Sequence, residues 1–188
     1  MRLFVALDVP EATRRALDET IRKFEIACRG ARWARAESVH VTLKFIGHVE
    51  ETELPAIKKC LKDAKSSSPV EITFRNFGFF PNERPPRVFW LGIEACPNLP
   101  ALAAEIESSL EPLGIPRDAR TFKPHLTLAR FKTEEGLPKL REMVASLAPP
   151  NFGLMIATEF HLYESVLNSS GAVHTKLANY RFVEGDAA

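Results

Sequence analysis

The 188-residue chain is poor in the residue types that build several common functional sites. It has only three cysteines, Cys28, Cys60 and Cys96, widely spaced and in no metal-ligand pattern. That excludes a disulfide scaffold and a thiolate metal site, and reads as reduced structural thiols. No glycine-rich loop of the Walker type is present, and no serine sits in a nucleophile elbow. No apolar run approaches the length of a membrane span. The run at residues 3–7 is too short for a secretion signal and stops at Asp8, so a cytoplasmic protein is expected. Net charge is only +1, which excludes wholesale electrostatic wrapping of nucleic acid. Local basic crowding remains: Arg29, Arg32 and Arg35, then Arg117, Arg120, Lys123 and Arg130. Taken one at a time, these read as solvated loop charge.

What is present is an ordinary globular composition, 45% hydrophobic and 26% charged, with thirteen Phe to fill a core. Against it stand two tetrads of one pattern, His40-Val41-Thr42-Leu43 and His125-Leu126-Thr127-Leu128. A shuffled chain of this composition would hold roughly 0.03 His-x-Thr-Leu tetrads. One such histidine would read as structural; two in matched positions read as a site.

The tetrads lie 85 residues apart, and other features recur near that offset. Arg2-Leu3-Phe4-Val5 is answered by Arg87-Val88-Phe89-Trp90. Helical patterns follow at 11–24 and 99–113, then after each tetrad at 52–64 and 137–147. Third strand-like runs come at 70–80 and 154–163, and a tail strand at 173–182. The expectation is one bilobal domain over 1–188, an internal repeat of about 1–85 and 86–188 with approximate two-fold symmetry. The fold class is α+β: two mostly antiparallel sheets facing a central cleft, helices outside. The Pro-rich segment 78–87 is the expected loop between halves.

In a strand, His40 and Thr42 share one face, ~6.6 Å apart, while Val41 and Leu43 point to the core. His125 and Thr127 do the same over Leu126 and Leu128. Facing lobes would bring two imidazoles and two hydroxyls into one cleft. One neutral imidazole takes a proton from the attacking group, and one charged imidazole gives a proton to the leaving oxygen. The Thr hydroxyls can hold non-bridging phosphate oxygens. A metal centre fits less well, because the histidines have no carboxylate or thiolate companions in the pattern.

With these motifs the chain resembles the two-histidine phosphoesterase superfamily, and more closely the RNA 2′,3′-cyclic phosphodiesterases, also called 2′-5′ RNA ligases. The likeness covers nearly the whole length. It runs through Arg2-Leu3-Phe4-Val5-Ala6-Leu7-Asp8, Trp33, and Glu37-Ser38-Val39 into His40-Val41-Thr42-Leu43-Lys44-Phe45-Ile46-Gly47. It continues through Pro86-Arg87-Val88-Phe89-Trp90-Leu91-Gly92, Arg120-Thr121-Phe122-Lys123-Pro124-His125-Leu126-Thr127-Leu128-Ala129-Arg130 and Leu162-Tyr163-Glu164-Ser165. The resemblance implies metal-independent opening of a terminal 2′,3′-cyclic phosphate to a 2′-phosphate, with no cofactor. It implies His40 as proton donor and His125 as proton acceptor, with Thr42 and Thr127 beside them. Arg130, Phe45, Lys44 and Ser165 are the expected substrate contacts, with Arg130 near a phosphate and Phe45, its counterpart in the first half, offering a stacking surface.

Departures from the family pattern are few. His48 stands where an acidic residue is common and reads as a surface turn. His174 stands near the tail strand, where an aromatic is common, and reads as structural or exposed. His161 is expected to face solvent, and Trp33 and Trp90 to be core. Expected partners are RNA with a cyclic phosphate end or a small nucleotide, with no membrane, and a monomer is the default state. The alternatives are 2′-5′ ligation of tRNA-half-like ends by the reverse reaction, turnover of a small cyclic phosphate ester, and a nucleotide- or RNA-binding module without chemistry.

Overall fold

Leu3, Val5 and Leu7 alternate onto one face of strand β1 (Arg2–Asp8) and Phe4 and Ala6 onto the other, and all five are buried. An apolar run covered on both faces belongs inside a sheet. The computed structural model of the chain, which describes residues 1–66, 68–81, 85–148, 152–168 and 171–182, has β1 in the interior of a four-stranded sheet. Residues 82–84 of the expected inter-half loop lie outside the described residues.

The chain continues through α1 (Glu11–Ala27), β2 (Arg32–Trp33), β3 (His40–His48), α2 (Leu54–Leu61) and β4 (Val70–Phe80). Then come β5 (Val88–Ala95), α3 (Asn98–Leu110), β6 (His125–Arg130) and α4 (Leu137–Ser146). It ends in β7 (Leu154–Ala157), β8 (Glu159–Asn168) and β9 (Gly171–Arg181). The first sheet has the order β3-β1-β8-β9 and the second β2-β6-β5-β4-β7, and every pairing is antiparallel. The α+β expectation is therefore met. None of the described helices is long and apolar enough to cross a membrane.

The lobes, however, are not the two sequence halves. Strands β1 and β3 share their sheet with β8 and β9, while β4 and β2 join β5, β6 and β7. The run expected as one strand over 154–163 is two strands in different sheets, with Thr158 alone between them. Helices are exchanged as well. Phe24 of α1 packs edge-on against Phe77 and Phe89 of the second sheet. On α3, Glu107 meets Lys44 of the first. Phe24, Phe74, Phe89 and Phe160 are fully buried. Each such burial contributes about 1.5–3 kcal/mol.

Both tetrad strands carry a β-bulge at the same place. Val5 pairs with Lys44 and Ala6 with Thr42, so Leu43 is the extra residue of β3. Phe89 pairs with Ala129 and Trp90 with Thr127, so Leu128 is the extra residue of β6. Phe4 and Val88 are thus equivalent in register, an offset of 84 rather than 85, and the opening strands match one residue differently from the motif alignment.

Candidate active site

The first turn of each tetrad strand fixes its histidine in the same way. His40 Nδ1 lies 2.8 Å from the Ser38 carbonyl oxygen, and His125 Nδ1 lies 2.7 Å from the Lys123 carbonyl oxygen. A carbonyl only accepts, so both rings carry their proton on Nδ1, and each Nε2 holds a lone pair when the ring is neutral. His40 also stacks on Phe4, with ring centroids 4.5 Å apart, while His125 meets Phe80 edge-on at 5.3 Å.

The bulges set which side of each sheet the next residues face. After Thr42, strict alternation would turn Lys44 to the histidine face and Phe45 to the core. The extra residue reverses this: Leu43 and Lys44 both go to the buried side, and Phe45 emerges 52% exposed beside His40. In β6, Leu128 and Ala129 are both buried and Arg130 emerges. A cleft of about 300 Å³ between the sheets is lined by His40, Thr42, Phe45, Thr127, Arg130 and Ser165, as the sequence predicts. This volume suits part of a nucleotide rather than a large ligand. His125 is not among the residues enclosing that cavity. It stands two residues before Thr127 on β6, half-buried against Phe80.

Burial disfavours the charged imidazole at both positions. It pushes His40 down to about 4, against the opposing pull of the Ser38 carbonyl, with His174 adding to the depression and Asp8 resisting it. Burial also lowers His125, opposed by the Lys123 carbonyl and assisted by Arg130. Among the described residues, no group of three His, Cys, Asp or Glu gathers closely enough to share a metal ion.

The family model of the 2′-5′ RNA ligase superfamily matches residues 10–167. The chain belongs to this superfamily. It is 33% identical to the RNA 2′,3′-cyclic phosphodiesterase of Archaeoglobus fulgidus, over 94% of this chain and 98% of that one. Its fold matches the crystal structure of TT0787 of Thermus thermophilus, at 32% identity and TM-score 0.80, covering 98% and 99% of the two chains. It also matches E. coli LigT complexed with 3′-AMP, at 27% identity and TM-score 0.75, covering 97% and 98%.

Within this member of the superfamily, two sequence expectations need correction. Lys44 does not face the cleft. It is 2% exposed, with Nζ 3.0 Å from Glu107 Oε1, 3.1 Å from Asp118 Oδ1 and 2.8 Å from the Pro116 carbonyl oxygen. His161 does not face solvent. It is 3% exposed, with Nε2 3.5 Å from Asp8 Oδ2. Asp8 also accepts hydrogen bonds from Tyr163 Oη and Lys176 Nζ. Burial opposes the ionised Asp8 carboxylate, but those bonds outweigh it and hold the group below its usual range. His174, expected to be structural or exposed, is half-buried and lines the cleft.

Sequence reasoning also missed the charge of the cleft. Arg2, Arg32 and Arg35 line it together with Arg130, and β2 sets Arg32 directly across from Arg130. Among the described residues, Arg2, Arg32 and Arg130 make no ion pair, so their charge is available to an anion. The signal was the arginine cluster ahead of the first tetrad, which gains meaning only once β2 is seen pairing with β6.

Proposed function

We propose that the chain hydrolyses terminal 2′,3′-cyclic phosphates of RNA to 2′-phosphomonoesters by acid–base catalysis from two histidines, without a metal ion. Neutral His125 takes a proton through Nε2 from a water molecule as the water oxygen bonds to phosphorus. The P–O3′ bond breaks, and charged His40 gives its Nε2 proton to the departing 3′ oxygen. Thr42 and Thr127 hold the non-bridging oxygens, Arg130 balances the phosphate charge, Phe45 stacks on the base, and Ser165 contacts the nucleotide from β8, in the same sheet as His40. Positioned acids and bases of this kind each contribute about 10²–10⁴-fold in rate.

The observation that carries this reading is the matched hydrogen bond from each Nδ1 to the carbonyl two residues before it. That bond leaves Nε2 to do the proton transfer and resists ring rotation. The arginines draw the phosphate monoanion in, and that anion favours the imidazolium form of His40 which burial alone disfavours. The name of the Archaeoglobus relative and the 3′-AMP held by LigT support the substrate class. Ligation of a 5′-hydroxyl end would use the same pair with roles exchanged.

The test is incubation of a short RNA bearing a 2′,3′-cyclic phosphate with the protein, with EDTA and no added metal. The expected product carries phosphate on the terminal 2′ oxygen. An intact cyclic end, or activity abolished by EDTA, overturns the proposal.

A further inference from the structure

His174 sits on β9, opposite Ser165 of β8, and both line the cleft. Its ring centroid is 5.0 Å from that of Phe4 and 5.1 Å from that of His40, nearly perpendicular to each at 81° and 84°. Phe4 and His40 are themselves stacked, so His174 stands astride the edge of that stack. Its Nδ1 is buried and has no hydrogen-bond partner among the described residues. Its Nε2 is neither enclosed nor partnered among the described residues, so it is open to the cleft solvent.

This arrangement selects a tautomer. A proton on Nδ1 would bury an orphan N–H, which folded proteins rarely tolerate. A proton on Nε2 leaves only a lone pair enclosed. His174 therefore carries its hydrogen on Nε2, the opposite of His40 and His125, whose Nδ1 protons are fixed by carbonyls. Burial and the nearby Arg2 guanidinium both favour the neutral ring. In the cleft His40 thus presents a proton-transferring nitrogen, and His174 presents a fixed donor alongside it.

We infer that His174 is a third imidazole of the reaction centre, donating its Nε2–H to a non-bridging oxygen of the phosphoryl group that His40 contacts. The two rings meet edge to face with centroids 5.1 Å apart, and no hydrogen bond joins them among the described residues, so one phosphoryl group can contact both at ordinary donor–acceptor distances of ~2.8 Å. Ser165, its cross-strand neighbour, faces the same space. The inference rests on the proposed phosphodiester chemistry for the identity of the anion.

The experiment measures calorimetric binding of adenosine 2′-monophosphate to the wild-type protein, His174→Phe and His174→Gln, with hydrolysis of 2′,3′-cyclic AMP followed in parallel. Phenylalanine keeps the ring packing but has no donor, and glutamine keeps an N–H at a comparable reach. The expected result is a Kd about tenfold weaker for His174→Phe and within about threefold of wild type for His174→Gln. Binding of His174→Phe at wild-type strength overturns the inference, and so does equal loss in both variants. A folding defect in either variant is bypassed by nitrogen NMR on wild-type protein. There the His174 Nε2 resonance must move on addition of the nucleotide, and an unmoved resonance overturns the inference. Wild-type protein that binds the nucleotide but leaves the cyclic phosphate intact sinks the proposed reaction while the binding data still judge His174.

Discussion

The ammonium of Lys44 on β3 lies 3.0 Å from the carboxylate of Glu107 on α3, behind the sheet rather than in the cleft. It ties the first tetrad strand to a helix from the other half of the chain. Lys44→Met leaves Glu107 without its cation and is expected to cost about 3 kcal/mol, the low end for a broken buried pair, because Glu107 and Asp118 keep some water. The KM of the folded protein should not change. Chemical denaturation and steady-state kinetics check both, and a raised KM at wild-type stability would return Lys44 to the substrate.

His40→Ala and His125→Ala each remove one of the two proposed proton-transfer groups. Each should lower kcat by about 10²–10⁴-fold while nucleotide affinity changes only slightly. Rapid-quench turnover and equilibrium binding on the same preparations separate the two effects. Equal loss of both would assign the imidazoles to structure.

The pH profile is set by the two depressed histidines. The proposed mechanism needs one imidazole charged and the other neutral. In the free protein burial pushes His40 down to about 4 and lowers His125 from the ordinary imidazole range. The kcat/KM profile should therefore be a bell displaced to acid, with one limb near 4 from His40. Below the lower limb the base is lost, and above the upper limb the acid is lost. In the complex the phosphate anion raises the pKa of the adjacent ring, so the kcat bell should lie at higher pH. Coincident bells for kcat and kcat/KM would contradict this.

The same burial makes stability depend on pH. The unfolded chain protonates His40 near 6.5, whereas the folded protein resists until about 4. Between those values the unfolded state binds more protons, so stability falls as pH falls through the window and levels off below it. His125, His161 and His174 are shifted the same way by burial. Thermal melts at stepped pH should show His40→Gln losing less than wild type on acidification. An identical loss would remove His40 as a contributor.

Arg130 faces Arg32 across β2 and β6 at the cleft. Arg130→Ala should raise KM about tenfold with little change in kcat, because it deletes a charge-assisted contact made in both ground and transition states. Added salt should narrow the gap between variant and wild type. A selective fall in kcat would instead make Arg130 part of the proton-transfer step.

Apolar periodicity is enough to locate α1, which buries one stripe, and to start β4 at Val70, because Val70, Ile72 and Phe74 alternate onto a buried face before the strand becomes irregular at Asn76. It cannot find β2, since two residues have no period. Nor can it find the bulges at Leu43 and Leu128, because alternation is the very rule a bulge breaks. Alternation alone would put Lys44 in the cleft and Phe45 in the core, whereas Phe45 lines the cleft and Lys44 is buried behind the sheet. A strand pattern also carries no record of its partner, so the exchange of β4 and β8 between sheets is invisible in it. His161 is misread for the same reason, and the place of His174 at the cleft is equally invisible, as their surroundings come from β1, β3 and neighbouring strands rather than from adjacent residues.

That exchange governs how the groove can behave. The chain passes from one sheet to the other four times, the last time through Thr158 alone, so covalent tethers join the two walls although no main-chain ladder bridges them among the described residues. The shortest tether pins the walls where β7 meets β8, and any change in the width of the groove has to pivot about that end.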